Sequence, residues 1–467
     1  MTSSRTCTVP PGPDGDWAFG NRRAFFENPL AFLQACARDY GDVVRIAERT
    51  YLLAAPDAIG AVLGDDGTRY GKSDPDPSVR RPAFPASVMN SAGADWRHKR
   101  QALQPAFRAA LVRDYAAQAS AATQALLRAQ DESGAAQDMR PLMTTLCAQL
   151  GAGFLLGDPA HADDLLRMLP MVDAILEETR GRSAPPAWWP SAHRRRLRRA
   201  RNGLETALER VLAQGVQRPP NAASALAVLL AEDPQGRSAW CRDEAAALLM
   251  SALEPMAAAL TWTLLLLAQD PQTAQAVADE AAVSMQAEAV SGADIVDIVD
   301  RLPLARACVK EAMRLYPPAW MTARIAQRDT TLGGFHVPRG TQLIVSQWVV
   351  HRDRRHFPDP EMFLPSRWLG DAATWAPPRY TYFPFGGGPR SCIGSMLALT
   401  QMTVAVASLL HARTLHLATD AQPMPFPALV LRPLDVRIAL RARPPRATGL
   451  AHARTAHAAA VPEPPHA

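Results

Sequence analysis

Lysine is nearly missing from this sequence: it occurs only at Lys72, Lys99 and Lys310, so almost all of the positive charge behind the net +5 is arginine. Without a lysine-rich tract the basic balance reads as composition bias, and no nucleic-acid partner is expected, although a basic face for an acidic protein stays open. Paired cysteines are missing too. Cys7, Cys36, Cys147, Cys241, Cys308 and Cys392 are scattered with no CxxC spacing, which argues against a zinc site or a disulfide framework and for a reducing compartment. No run reaches the ~20 apolar residues of a spanning helix, and the opening MTSSRTCTVPPGPDGDW lacks the basic stretch and apolar core of a secretory signal. The expectation is a cytoplasmic protein with no membrane span. Internal repeats and a linker between domains are absent as well.

What the sequence does have is a globular composition, with 48% hydrophobic and 20% charged residues over 467 positions, enough for a sizeable core. Pro10-Pro11-Gly12-Pro13 forms a stiff lead-in, and from Arg443 onward proline and alanine dominate without apolar periodicity. Residues 1–15 and 443–467 therefore read as tails around a single domain at 16–442. Asn28 to Tyr40 has the spacing of an amphipathic helix, and VVRIAERTYLLAA (Val43 to Ala55) has the β-branched and apolar runs of a hairpin. Long Ala/Leu-rich helical stretches follow near 111–130, 201–214 and 243–268. The last is apolar on nearly every side, which places it at the centre of the molecule. After Pro317 short β-rich pieces alternate with proline and glycine, and a final helix runs from about Gly394 to Leu410. The expected class is mainly α with a smaller β region.

The chemistry concentrates in FPFGGGPRSCIG, Phe383 to Gly394. Three consecutive glycines let backbone approach a flat ligand closely. A cysteine at the start of a helix has a thiolate stabilised by the dipole and by free N–H groups. A lone cysteine is more often a small buried hydrophobe. Here Phe385, Gly388, Arg390, Cys392 and Gly394 together match the FxxGxRxCxG signature, and the sequence resembles the cytochrome P-450 family over roughly Asn28 to Leu440.

That resemblance implies a helix-rich triangular prism enclosing haem b (iron protoporphyrin IX), with Cys392 as the iron ligand and Phe385, Gly386 and Gly394 around it. Glu311 and Arg314 of KEAMRLYPP lie three apart on one helical face, and PDPEMFLPSRW resembles the family segment whose arginine, here Arg367, completes a buried structural triad. Trp96 and Arg100 of WRHKR resemble the WxxxR helix; with Arg324 and Arg390 they are the candidates for the haem propionates, which call for the fork of arginine. The resemblance also implies a mostly apolar substrate pocket including Val88, Met89, Ala252, Leu253, Trp320, Met321 and Thr322. No flavin or reductase domain follows, so electrons are expected from a ferredoxin and a ferredoxin reductase, with the protein itself a monomer. The stretch His193 to Arg199 reads as a solvated helical face.

One departure bears on mechanism. Met250 to Ala257 aligns with the central helix, where the usual pattern is AGxETT; Glu254 keeps the acid, but Pro255 and Met256 replace the hydroxyl residues. Proline also removes an N–H and kinks a helix. Glu254 and Pro255 are the catalytic candidates. The leading reading is a monooxygenase acting on an apolar small molecule or biosynthetic intermediate, with Glu254, water or a substrate hydroxyl supplying the proton. The alternatives are a peroxide-driven or rearranging enzyme and a haem-containing binding protein without turnover.

Overall fold

The computed structural model describes residues 9–16, 20–72, 84–130, 134–180, 192–217, 221, 224–291, 300–370 and 377–443. Cys7 and the chain beyond Arg443 lie outside them, as does most of the expected N-terminal tail. In chain order the regular elements begin with α1 Arg22–Glu27, α2 Pro29–Tyr40, β1 Val43–Ala47, β2 Thr50–Leu53, α3 Pro56–Leu63, β3 Tyr70–Lys72 and α4 Gly93–Leu103. They continue with α5 Ala109–Ala129, β4 Gln137–Asp138, α6 Met139–Leu156, α7 Ala162–Arg180, α8 Ala192–Gln217, α9 Ala225–Glu232, α10 Ala239–Gln269 and α11 Pro271–Ser291. The last third holds α12 Pro303–Leu315, β5 Thr322–Ala326, β6 Thr330–Leu332, β7 Phe335–Val337, β8 Gln342–Val345, α13 Gln347–Val350, α14 Ser395–Ala412, β9 Arg413–Leu417, β10 Met424–Pro427, β11 Leu431–Leu434 and β12 Arg437–Ala442. The class is mainly α with small sheets, as the periodicities imply.

Local signals set the element ends. Asn28 caps α2 by accepting the Ala31 N–H at 3.0 Å, and Ser238 caps α10 by accepting the Cys241 N–H at 3.1 Å. Val43 to Ala55 forms the expected hairpin, with Val43 opposite Leu53. β2 then runs parallel to β8 in a five-stranded sheet of order β1-β2-β8-β5-β3. On α8, Arg195, Arg196, Arg198 and Arg199 are exposed while Leu197 and Ala200 are buried, a solvated helical face.

α10 is the axis of the molecule. Leu260, Trp262, Leu264 and Leu265 pack with residues of α6, α12 and α14 in one large core cluster. α10 and α14 are long and apolar enough to cross a membrane, yet 78% and 67% of their most apolar windows are buried inside the fold. They are core helices. Trp262 stacks on Tyr316, centroids 3.9 Å apart, and donates its indole N–H to the Leu431 carbonyl at 3.1 Å, so one side chain joins α10, the end of α12 and the β10–β11 hairpin.

Candidate active site

The stretch before α14 folds into a tight loop: the Gly386 N–H donates to the Phe383 carbonyl at 2.9 Å and the Cys392 N–H to the Phe385 carbonyl at 2.8 Å. Gly388 has φ +68°, and a Cβ there would fall far inside contact with the Leu63 carbonyl of α3; a Cβ on Gly387 would stand 2.7 Å from the Tyr380 ring. These two glycines therefore serve close packing against protein. Gly386 and Gly387, with Phe385, also face the cavity.

That cavity has a volume of about 510 Å³ and reaches from the cysteine loop to α10 and the 84–92 segment. Cys392 lines it and is exposed to it, whereas Cys36, Cys147, Cys241 and Cys308 are buried. Because the opening is internal, the surrounding protein still pushes the Cys392 thiol above its ordinary range, opposed by the Gly394 N–H and the Arg100 charge. A metal at the sulfur would hold it as thiolate regardless.

Arg100, Arg324 and Arg390 line the same cavity, with Trp96. Arg390 lies over the Trp96 ring, 4.6 Å from its centroid, and donates to the Ser91 carbonyl at 2.9 Å. Arg324 donates to the Ala323 carbonyl at 2.9 Å. Among the described residues none of the three has a carboxylate within ion-pair distance. Burial lowers the pKa of all three, that of Arg324 to about 10 with the nearby Arg390 adding to the effect. Such a cluster calls for an anionic ligand. A thiol on one wall, three uncompensated arginines at the edge and an apolar remainder fit a haem with its two propionates.

Val88, Met89, Ala252, Met321 and Thr322 line the cavity; Leu253 and Trp320 do not. On α10 the cavity face is Glu244, Ala247, Leu248, Ser251, Ala252, Pro255, Met256 and Ala259, at helical spacing. Leu253 lies about a hundred degrees round from Ala252 and is fully buried in the core beside α6 and α7. Trp320 alternates away from Met321, packs with Leu30 and Leu33 of α2, and donates its indole N–H to the Ala428 carbonyl at 2.7 Å. Glu244 and Ser251 escaped the reading by alignment, although the helical period running back from Pro255 marks both.

Glu254 differs most from expectation. Its Oε1 lies 2.7 Å from Arg140 of α6 and 2.6 Å from Arg432 of β11, and it does not line the cavity. Arg432 also reaches Asp173 of α7 at 2.7 Å. The carboxylate is turned from the site because residue 254 follows the cavity-facing Ala252 by two positions, on the opposite side of the helix. Pro255 does face the cavity.

The sequence model of the family described as Cytochrome P450 matches residues 10–439. The chain belongs to the cytochrome P-450 family. It is 29% identical over 422 residues to cyclooctat-9-en-7-ol 5-monooxygenase of Streptomyces melanosporofaciens, covering 87% of this chain and 89% of that protein. It is 30% identical over 449 residues to cyclooctatin synthase of the same organism, covering 91% and 94%. The solved structure of a cyanobacterial CYP120A1 with retinoic acid bound matches with a TM-score of 0.81 at 23% identity, over 94% of this chain and all of that one, a likeness of fold. This P-450 is thus an oxidoreductase of the monooxygenase type with a haem-thiolate cofactor.

Away from the cavity, this P-450 buries Glu311 and Arg314 completely, in a doubly bonded pair with both distances 2.9 Å. Arg314 also donates to the carbonyls of His351, Pro360 and Met362 at 2.8, 2.7 and 3.0 Å. Glu311 accepts from Arg367 at 3.2 Å, the Leu364 N–H at 3.1 Å and the Trp368 indole at 2.9 Å. Trp368 is a member that the sequence motif does not announce. Burial, with Arg314 and Arg352 adding to it, pushes the His351 pKa down to about 3, so its ring stays neutral. Its Nε2 accepts the Phe383 N–H at 3.0 Å, linking the pair to the first residue of the cysteine loop.

Proposed function

We propose that this P-450 inserts one atom of O2 into an apolar small molecule, with haem b held by Cys392 and electrons delivered by a ferredoxin and a ferredoxin reductase, the protein acting as a cytoplasmic monomer. The observation that carries the reading is the single cavity onto which Cys392, the three arginines without carboxylates and the apolar face of α10 all open. Arg100, Arg324 and Arg390 would hold the propionates, Trp96 would orient Arg390, and Phe385, Gly386 and Gly394 would flank the ligand sulfur. Bound haem supplies oxygen activation, with the thiolate favouring O–O cleavage. Val88, Met89, Ala252, Met321 and Thr322 would receive the substrate. One relative's name records monooxygenation of an unsaturated alcohol at a numbered carbon, and a molecule of that type, a biosynthetic intermediate, suits these walls. The test is turnover under ¹⁸O2 with ferredoxin, its reductase and a panel of cyclic unsaturated alcohols headed by cyclooctat-9-en-7-ol. One labelled oxygen in the product is expected; product formed only with hydrogen peroxide, or without any electron donor, moves the assignment to a peroxide-driven or rearranging enzyme.

Pro255 gives that second reading its support, since it leaves no hydroxyl at position 255, and the Ser251 hydroxyl one turn earlier on the same face is engaged with the Ala247 carbonyl at 2.7 Å. Within the monooxygenase reading, the proton then comes from water or from a hydroxyl on the substrate, with Glu254 tied up by its arginines. Glu254→Gln is expected to slow donor-driven and peroxide-driven turnover alike, by less than about tenfold, because the amide still accepts a hydrogen bond from an arginine. Pro255→Thr, which places a hydroxyl at position 255, should lower the share of electrons lost as hydrogen peroxide. Selective slowing of donor-driven turnover in Glu254→Gln would restore the carboxylate as a proton source.

Electron delivery concerns the exterior. Of the Arg97 to Arg100 turn, only Arg97 and His98 point outward; Lys99 is buried and Arg100 faces the cavity. Arg97 and Arg108, both exposed, are the basic residues proposed to meet an acidic ferredoxin. The first electron transfer, followed by stopped flow, is expected to slow as ionic strength rises, and more gently in Arg97→Glu. A rate indifferent to salt would remove this surface from the pathway.

A further inference from the structure

One wall of the cavity is made by a segment with no helix or strand of its own. Phe84 to Ala92 is a series of turns, yet its Val88 and Met89 line the same cavity as the cysteine loop. The Phe84 carbonyl gathers the Ser87 N–H at 3.1 Å, the Ser87 hydroxyl at 2.8 Å and the Asn90 amide at 3.0 Å, which gives the segment its shape. Its position comes from elsewhere.

Two adjacent carboxylates at the start of the cavity-facing part of α10 hold its backbone. Asp243 accepts the Ala86 N–H at 2.7 Å, and Glu244 accepts the Val88 N–H at 2.6 Å. From the other side Lys99 of α4 donates to the Ala86 carbonyl, the Ser91 hydroxyl and the Asp95 carboxylate, each at 2.8 Å. Ala86 is therefore gripped by both its N–H and its carbonyl. In a chain that otherwise uses arginine almost throughout, a lysine suits this point: an ammonium directs three donors to acceptors in different directions, whereas a guanidinium is flat. Burial raises the pKa of both carboxyls, the N–H groups and Lys99 opposing it, so they are held inside at a cost that the backbone contacts offset.

We propose that Asp243, Glu244 and Lys99 are positioning residues that fix the Val88–Met89 wall, and so decide how large and how shaped a substrate this P-450 admits. The proposal rests on the cavity being the substrate site. Charged acceptors make strong hydrogen bonds to N–H groups, and an element without a ladder of its own takes its order from such outside contacts. Loss of the clamp frees the Val88–Met89 part of the wall, while the Arg390 bond to the Ser91 carbonyl at 2.9 Å still ties the end of the segment to the cysteine loop.

The experiment compares Asp243→Ala, Glu244→Ala and Lys99→Arg with Glu244→Gln, which keeps an acceptor, in haem-loaded full-length protein. Hydrogen exchange of the 84–92 amides is expected to quicken about tenfold or more in the first three and to stay near wild type in Glu244→Gln. Two iron-binding probes read the pocket by their spectral shift. Imidazole, too small to reach the wall, is expected to bind every variant equally, while 4-phenylimidazole should bind the first three variants about fivefold more weakly. Unchanged exchange at 84–92, or acceleration shared equally by α5 and β12, overturns the clamp, as does equal weakening of both azoles. If neither azole shifts the wild-type spectrum, the haem-thiolate assignment fails, and the exchange comparison still decides whether the clamp exists.

Discussion

Arg314→Ala is expected to give protein that aggregates and retains little haem, because the change takes the doubly bonded partner from the fully buried Glu311, leaving Arg367 at 3.2 Å as its remaining cation, and leaves the carbonyls of His351, Pro360 and Met362 without their donor. Removing one partner of such a pair costs about 3–5 kcal/mol, a large part of the stability of an ordinary domain. Glu311→Ala should be as severe, since it also strands Arg367 and the Trp368 indole. Soluble yield and the haem-to-protein ratio check both. Folding would fail before catalysis could be measured, so a well-folded, fully loaded but slow Arg314→Ala would mean that the pair acts in the reaction. Trp368→Phe, which removes the indole N–H bonded to Glu311 and shrinks the ring packed between Lys310 and Tyr382, should cost about 1–3 kcal/mol and leave the fold intact.

Cys392→Ser is expected to abolish the red-shifted Soret band of the ferrous carbon monoxide complex while leaving the fold and the cavity in place. A serine hydroxyl is nearly the size of a thiol, but it neither ionises near neutral pH nor donates electron density as sulfur does. Arg100, Arg324 and Arg390 would still draw the propionates, so haem should bind more weakly rather than vanish. A wild-type protein grown with ample haem that shows a histidine-ligated spectrum, or a Cys392→Ser variant that keeps the thiolate band, would overturn the ligand assignment.

Local features of the sequence reached far into this fold because they act through neighbours in the chain. The hairpin at Val43 to Ala55, the apolar run that became α10 and the helix after Gly394 all lie within a few residues of where periodicity and glycine place them. The ends moved where caps outside the apolar pattern, such as Ser238, extend a helix. Pocket membership was less legible: Leu253 and Trp320 sit beside lining residues in sequence, and one step round a helix or along an extended chain carries each into the core. The partners of Glu254 were not legible at all. Arg140 and Arg432 lie more than a hundred residues away on either side, and an arginine-rich sequence gives no reason to single them out.

Gly386, Gly387 and Gly388 are one repeated letter with three different tolerances to change. At 388 any side chain must displace the backbone of α3, so every substitution there should behave as a null allele. At 387 the obstacle is a side chain, and a compensating change at Tyr380 would open the position. At 386 no protein atom stands closer than 4.0 Å to a new Cβ, and the barrier set by the protein itself is the backbone angle of +73°, which asparagine accepts more readily than other residues. A saturation library across the loop would thus return a graded series from asparagine at 386, through paired changes at 387, to nothing at 388, drawing the outline of α3 from genetics alone.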